Sequence, residues 1–211
     1  MKAHTLETQS SLTPYKALQF LKEGNQRFMS NLKVNRNLLE QVNDTKNGQF
    51  PFAIILSCID SRTSAELIFD QGLGDVFSVR IAGNILNEDI IGSMEFACKV
   101  AGSKLVVVLG HSKCGAINGA CKDVKMGHLT GLLDKIKPAV KEVAAKRKST
   151  EVTADFVEEV AHFNVIQTMD EILNRSGVLK EMFDNGEVGF AGGYYDIDTG
   201  EVAFLKEILH D

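Results

Sequence analysis

Two stretches concentrate the groups in this chain that could do chemistry. Ser57-Cys58-Ile59-Asp60-Ser61-Arg62 places a thiol, a carboxylate and a guanidinium together after the apolar run Phe52-Ala53-Ile54-Ile55-Leu56. Gly110-His111-Ser112-Lys113-Cys114-Gly115 places an imidazole and a second thiol three positions apart, after the run KLVVVL at 104–109. That spacing lets His111 and Cys114 reach one ion from a single turn, and Cys58 would complete a Cys2His set. Thiolate with imidazole favours tetrahedral zinc, and three protein donors leave a fourth position open, the pattern of catalytic sites. Each half alone has a bland reading: a core cysteine beside a helix-capping histidine, and a surface ion pair. A structural zinc site would need a fourth donor, for which Asp60, Cys121 and His128 are the sequence candidates.

Asp60 and Arg62 lie two apart, so on an extended segment they point the same way. The arginine lowers the carboxyl pKa and orients it as a bidentate pair. An ionised Asp60 would then either accept a hydrogen bond from the group in the fourth position or take that position itself.

The elements around these stretches must bring them together. Apolar periodicity predicts a helix over 14–30, with Thr13-Pro14 as cap and first position, and a weaker one over 35–45. Strands are expected at 52–57, 75–80, 104–109 and 188–194, the last followed by an Asp198-Thr199-Gly200 turn into 202–205. Helices are expected at 63–71, 88–101, 115–121, 129–148 with a break or kink at Pro138, 151–174 and 176–184. Strands alternating with helices predict an α/β fold with a mainly parallel central sheet, and continuous apolar strands a sheet covered on both faces. Sites in such sheets lie at the carboxyl ends of strands. Cys58 and His111 both stand there; Cys98 and Cys121 do not, and read as structural.

The 211 residues suit one domain over 1–211, a helical arm at 1–48 leading into an α/β core at 49–211. A net charge of −5 argues against nucleic acid or an anionic membrane surface as partner. No apolar run is long enough to span a bilayer. The start of the chain lacks the apolar centre of a secretory signal, so four free cysteines in the cytoplasm are expected. The basic stretch from Lys135 to Lys148 reads as a solvated helix face. His4, His162 and His210 are expected to face solvent or bond locally, and His128 to precede and cap a helix.

Taken together, Cys58-x-Asp60-Ser61-Arg62 and His111-Ser112-Lys113-Cys114-Gly115 resemble the paired motif of the β-class carbonic anhydrases. The likeness extends to ALQFLKEGNQRFMSN, DVFSVRIAGN and GGYYDIDTGEVAFL, and so covers most of the chain. The resemblance implies one zinc per subunit on Cys58, His111 and Cys114, with Asp60 and Arg62 as the adjoining dyad. It implies that Gln49 hydrogen-bonds substrate, that Phe77 and Ala82 line the CO2 pocket, and that Gly115 is the small residue beside the metal. It implies reversible hydration of CO2 to bicarbonate and a proton, by attack of zinc-bound hydroxide. It also implies a homodimer or dimer of dimers, in which N-terminal helices wrap the neighbour and Gln49 and Phe77 serve the adjoining subunit's zinc.

Two positions depart from some relatives. Ile55 stands where an allosteric bicarbonate site uses tryptophan, and the chain has no Trp; Asp60 is therefore expected to pair with Arg62. Phe96 stands where some members carry a tyrosine linked to proton transfer, which leaves the shuttle unassigned. Hydrolysis of carbonyl sulfide or carbon disulfide on the same fold, and non-catalytic zinc binding in a regulatory protein, are the competing functions.

Overall fold

Ala53–Ser57 (β1) and Leu105–His111 (β3) are buried at every position, which explains why neither alternates between apolar and polar residues. In the computed structural model, which describes residues 3–210, they are central strands of a five-stranded sheet. β2 is Val76–Arg80, β4 Gly189–Tyr195 and β5 Val202–Ile208, and the order is β2-β1-β3-β4-β5. All pairings are parallel except β4 with β5, so the α/β architecture with a mainly parallel sheet is the one found.

Ten α-helices flank the sheet among the described residues: α1 Leu6–Ser10, α2 Pro14–Met29, α3 Leu38–Thr45, α4 Ala65–Ile68, α5 Glu88–Glu95, α6 Gly115–Cys121, α7 Gly127–Asp134, α8 Lys137–Arg147, α9 Ala154–Arg175 and α10 Gly177–Asp184. The sheet's pleat divides its side chains between two cores. Ile54, Leu56, Val106 and Val108 pack with Met94 of α5 and Val165 and Met169 of α9. Ile55, Leu105 and Val107 pack with Leu18 and Leu21 of α2 and Ile68 of α4. Gly110 lets α9 approach: a Cβ there would lie 2.5 Å from Val165 Cγ2.

Several expected boundaries change. The helix expected at 63–71 shrinks to α4. In 129–148 the interruption expected at Pro138 is a break: α7 ends at Asp134 and Pro138 sits in the first turn of α8, where a missing N–H costs nothing. The helix expected at 88–101 becomes α5 followed by a π-helical turn at Phe96–Val100. α1 was not foreseen; it is five residues long, held by a Thr5–Thr8 capping box. His128 lies inside α7 rather than capping it, and His162 is packed edge-on against Tyr194 with ring centroids 4.0 Å apart.

The N-terminal arm is tied to the core through Asp70, whose side chain is 3% exposed. Arg27 Nε (2.6 Å) and the Val34 N–H (3.2 Å) donate to Oδ2, and Arg36 Nη1 (2.5 Å) donates to Oδ1. Burial pushes the Asp70 carboxyl up, but Arg27 and Arg36 outweigh it and hold the group below its ordinary value. Asp70→Asn is expected to cost about 3 kcal/mol in denaturant unfolding, since it leaves both guanidinium groups without an anion. A carboxyl depressed on folding stabilises above its unfolded pKa and loses that contribution as pH falls toward the folded value. The difference between wild type and Asp70→Asn should therefore shrink below about pH 4.

Candidate metal centre

The strand registers set the site. Ser57, the last residue of β1, pairs with Arg80 at the end of β2 and with Leu109 of β3. The carboxyl ends of the three strands are therefore nearly level, and Cys58, one residue beyond β1, emerges beside His111 at the end of β3. Cys114 is the N-cap of α6, where the chain turns after Lys113 at φ +56°.

Three donor atoms converge here. Cys58, His111 and Cys114 are buried, and their sulfurs and imidazole offer donor atoms all within 4.8 Å of one another; no other cluster of three or more candidate donors occurs among the described residues. Cys58 Sγ and Cys114 Sγ are 3.9 Å apart. Two sulfurs ~2.3 Å from one tetrahedral zinc would be about 3.8 Å apart, so the spacing fits that ion. His111 Nδ1 lies 2.9 Å from the Ser112 carbonyl oxygen, to which it can donate, fixing the tautomer that leaves Nε2 as a lone-pair donor. Nε2 itself is buried and has no hydrogen-bond partner in the protein. An unsatisfied buried ring nitrogen is costly unless it has a ligand to bind.

The two sulfurs shift each other's acidity in opposite directions. The Cys114 thiol, with further help from the Gly83 N–H, holds Cys58 far below the ordinary thiol range against the opposing effect of burial. Hydrogen bonding to Cys58, with burial, pushes Cys114 upward. A site prepared to hold one thiolate before any cation arrives is suited to binding a soft divalent metal.

Asp60 stands outside the cluster of donors. Its Oδ1 accepts from Arg62 Nε (2.9 Å) and from the Arg62 N–H (3.0 Å), while Oδ2 accepts from Arg62 Nη2 (2.7 Å). The bidentate guanidinium holds the Asp60 carboxyl well below the usual carboxylate range. Main-chain atoms of the same loop are fixed by residues not singled out from sequence. Arg80 donates to the carbonyls of Cys58 (3.0 Å) and Asp60 (2.6 Å), and the Thr63 hydroxyl donates to the Asp60 carbonyl (2.9 Å). Arg80 had no signal of its own, since its reach depends on the pairing of β2 with β1. The Gly83 N–H, 3.4 Å from Cys58 Sγ, had none beyond a glycine after a strand.

A cavity of about 450 Å³ opens on this centre. Cys58, Asp60, Ala82 and Gly115 line it with an otherwise apolar wall that includes Ile59, Val124, Leu129 and Leu133. Asn118 and Lys122 add polar groups that sequence had not singled out. Gly115 leaves room, since a Cβ there would meet nothing within 4 Å. Gln49 and Phe77 are not on this wall. Gln49 is exposed, and Phe77 lies on edge strand β2 against Phe96, in a separate groove shared with Glu88 and Ser93.

Comparison with known proteins agrees on one family. The family model described as "Carbonic anhydrase" matches residues 53–202. Carbonic anhydrase 2 of Mycobacterium tuberculosis is 33% identical over 201 residues, covering 92% of this chain and 94% of its own. A carbonic anhydrase of Mycolicibacterium smegmatis is 30% identical, covering 92% and 95%. Among solved structures, the β-carbonic anhydrase CcaA superposes with a TM-score of 0.72 at 26% identity, covering 92% of this chain and 99% of that one. A structure reported with two tetrameric β-carbonic anhydrases of Sordaria macrospora gives 0.70 at 26% identity, covering 90% and 89%.

Proposed function

Since this chain belongs to the β class of the carbonic anhydrase family, we propose that Cys58, His111 and Cys114 hold one zinc ion per subunit for the reversible hydration of CO2. The carrying observation is the convergence of three buried donor residues, one of which, His111, has an Nε2 with no partner in the protein. Bound there, zinc supplies Lewis acidity that makes water a nucleophile near neutral pH. Two thiolates offset the zinc charge, so that acidification should be weaker than with three histidines.

The remaining work falls to the chain's own residues. The apolar wall suits a small unpolarised substrate and excludes bulk water from it. Asp60 Oδ1 already receives two donors, whereas Oδ2 receives one. Oδ2 therefore keeps a lone pair to accept a hydrogen bond from the attacking oxygen's O–H and so aim that oxygen at CO2. Arg62 keeps the carboxylate ionised and turned for that task. Gln49 would steady a CO2 oxygen and Phe77 would line the pocket, both in an adjoining subunit's site. Phe96 offers no titratable group, so the product proton passes to buffer or to another side chain.

A homodimer or dimer of dimers is proposed as the working assembly. Leu39 is 81% exposed on the N-terminal arm, and Val100 is 71% exposed in the turn after α5, apolar surface that a second copy would cover. We place the protein in the cytoplasm, where Cys58 and Cys114 stay reduced. No helix among the described residues is long and apolar enough to cross a membrane, and no nucleic-acid role is proposed.

Zinc analysis combined with stopped-flow CO2 hydration, repeated with carbonyl sulfide, tests the reading. One zinc per chain with a marked preference for CO2 is expected. Preference for carbonyl sulfide would make the chain a sulfur-substrate hydrolase, and bound zinc without turnover a binding protein. Absence of zinc from protein prepared with the metal present would overturn the site.

A further inference from the structure

Beyond the three donors, one main-chain turn touches the centre. The segment Ala82–Asn84 forms a single 3-10 turn after β2. Gly83 adopts φ +70° and Asn84 φ +43°, two successive residues in the left-handed region. A Cβ on Gly83 would come within 2.7 Å of Ile136 Cδ1 and 3.2 Å of Ala116 Cβ, so only glycine allows this approach. The buried Nδ2 of Asn84 has no partner in the protein.

The peptide groups on either side of the Gly83 Cα are tied to different parts of the molecule. The N–H points at Cys58 Sγ, 3.4 Å away. The carbonyl accepts from Asn164 Nδ2 at 3.0 Å. Asn164 belongs to α9, is 3% exposed, and is remote in sequence from every motif residue. The helix that packs on β3 and β4 thus also grips the turn whose N–H faces the sulfur.

We propose that Asn164 is a positioning residue for the metal centre: by fixing the Gly83 carbonyl, it keeps the Gly83 N–H directed at the Cys58 sulfur and so orients that sulfur as a donor. The proposal rests on the reading of Cys58 as a zinc ligand. Outer-shell partners that orient metal ligands commonly contribute 10- to 100-fold to metal affinity.

Asn164→Asp is nearly isosteric and replaces the donor with an acceptor facing a carbonyl. Zinc affinity, measured by chelator competition, is expected to fall about tenfold or more. In the cobalt(II)-loaded protein the thiolate-to-metal charge-transfer band should shift. Thr168→Val, one turn further along α9 and also buried, is the control and should leave both readouts at wild-type values. Unchanged affinity and band in folded Asn164→Asp, or equal losses in Thr168→Val, would overturn the proposal. If Asn164→Asp does not fold, the 113Cd-loaded wild-type chain decides. Scalar coupling between the metal and the Gly83 amide proton is expected, and its absence overturns the N–H···S contact on which the proposal depends. A wild-type chain that binds no zinc instead overturns the site reading, so the two failures are distinguishable.

Discussion

Cys58→Ser is expected to lose bound zinc and, with it, CO2 hydration, while the chain stays folded. A serine hydroxyl is a poor zinc donor at neutral pH because it remains protonated, whereas Cys58 is already held toward its thiolate. Structural zinc sites with four ligands bind with about 10–16 kcal/mol, so one ligand corresponds to roughly 3–4 kcal/mol, or about 10²- to 10³-fold in affinity. The loop should survive because its anchors use main-chain atoms. Arg80 and Thr63 both reach the Cys58 carbonyl, at 3.0 and 3.2 Å, and neither contact needs the sulfur. Elemental analysis after dialysis, circular dichroism and stopped-flow hydration together check the result. Full zinc occupancy with the wild-type rate would remove Cys58 from the ligand set.

The donors were legible in the sequence because each follows an apolar run that ends in polar residues. A fully buried parallel strand needs such a run, and the fold places sites where it stops. Asp60 and Arg62 were legible for a local reason, being close enough to pair within one loop. Arg80, Gly83 and Asn164 were not, because they act through main-chain groups brought near by register and helix packing. The Asn164–Gly83 bond joins positions that no periodicity relates. The division of 129–148 into α7 and α8 was legible as an interruption at Pro138, but whether it broke or only kinked the helix was not, because proline suits a helix start as well as a kink. Gln49 and Phe77 show a different limit: sequence order can suggest a role, yet a single chain does not put these residues on its own cavity wall. Their part in catalysis depends on the proposed assembly.

Asp60→Asn is expected to do the opposite of Cys58→Ser: zinc stays bound and turnover falls by about 10²-fold, the order of loss when the reacting group is misplaced. The metal should remain because Asp60 lies outside the donor cluster, and because Arg80 and Thr63 hold its carbonyl rather than its carboxylate. Turnover should fall for two linked reasons. The amide oxygen can replace Oδ1 as acceptor from the Arg62 N–H and Nε, but the amide NH2 then occupies the place of Oδ2. That group faces Arg62 Nη2, which now donates to the carboxylate at 2.7 Å; two donors would oppose each other and Arg62 would swing away. The lone pair proposed to accept a hydrogen bond from the attacking oxygen is lost with Oδ2. Little of the effect should appear as stability, since the Arg62 side chain is 52% exposed and such pairs contribute little to folding. Zinc content and the unfolding midpoint close to wild type, with kcat reduced, is therefore the expected combination. A wild-type rate would show that Asp60 takes no part in orienting the attacking oxygen, whereas loss of zinc would show that the loop depends on the carboxylate after all.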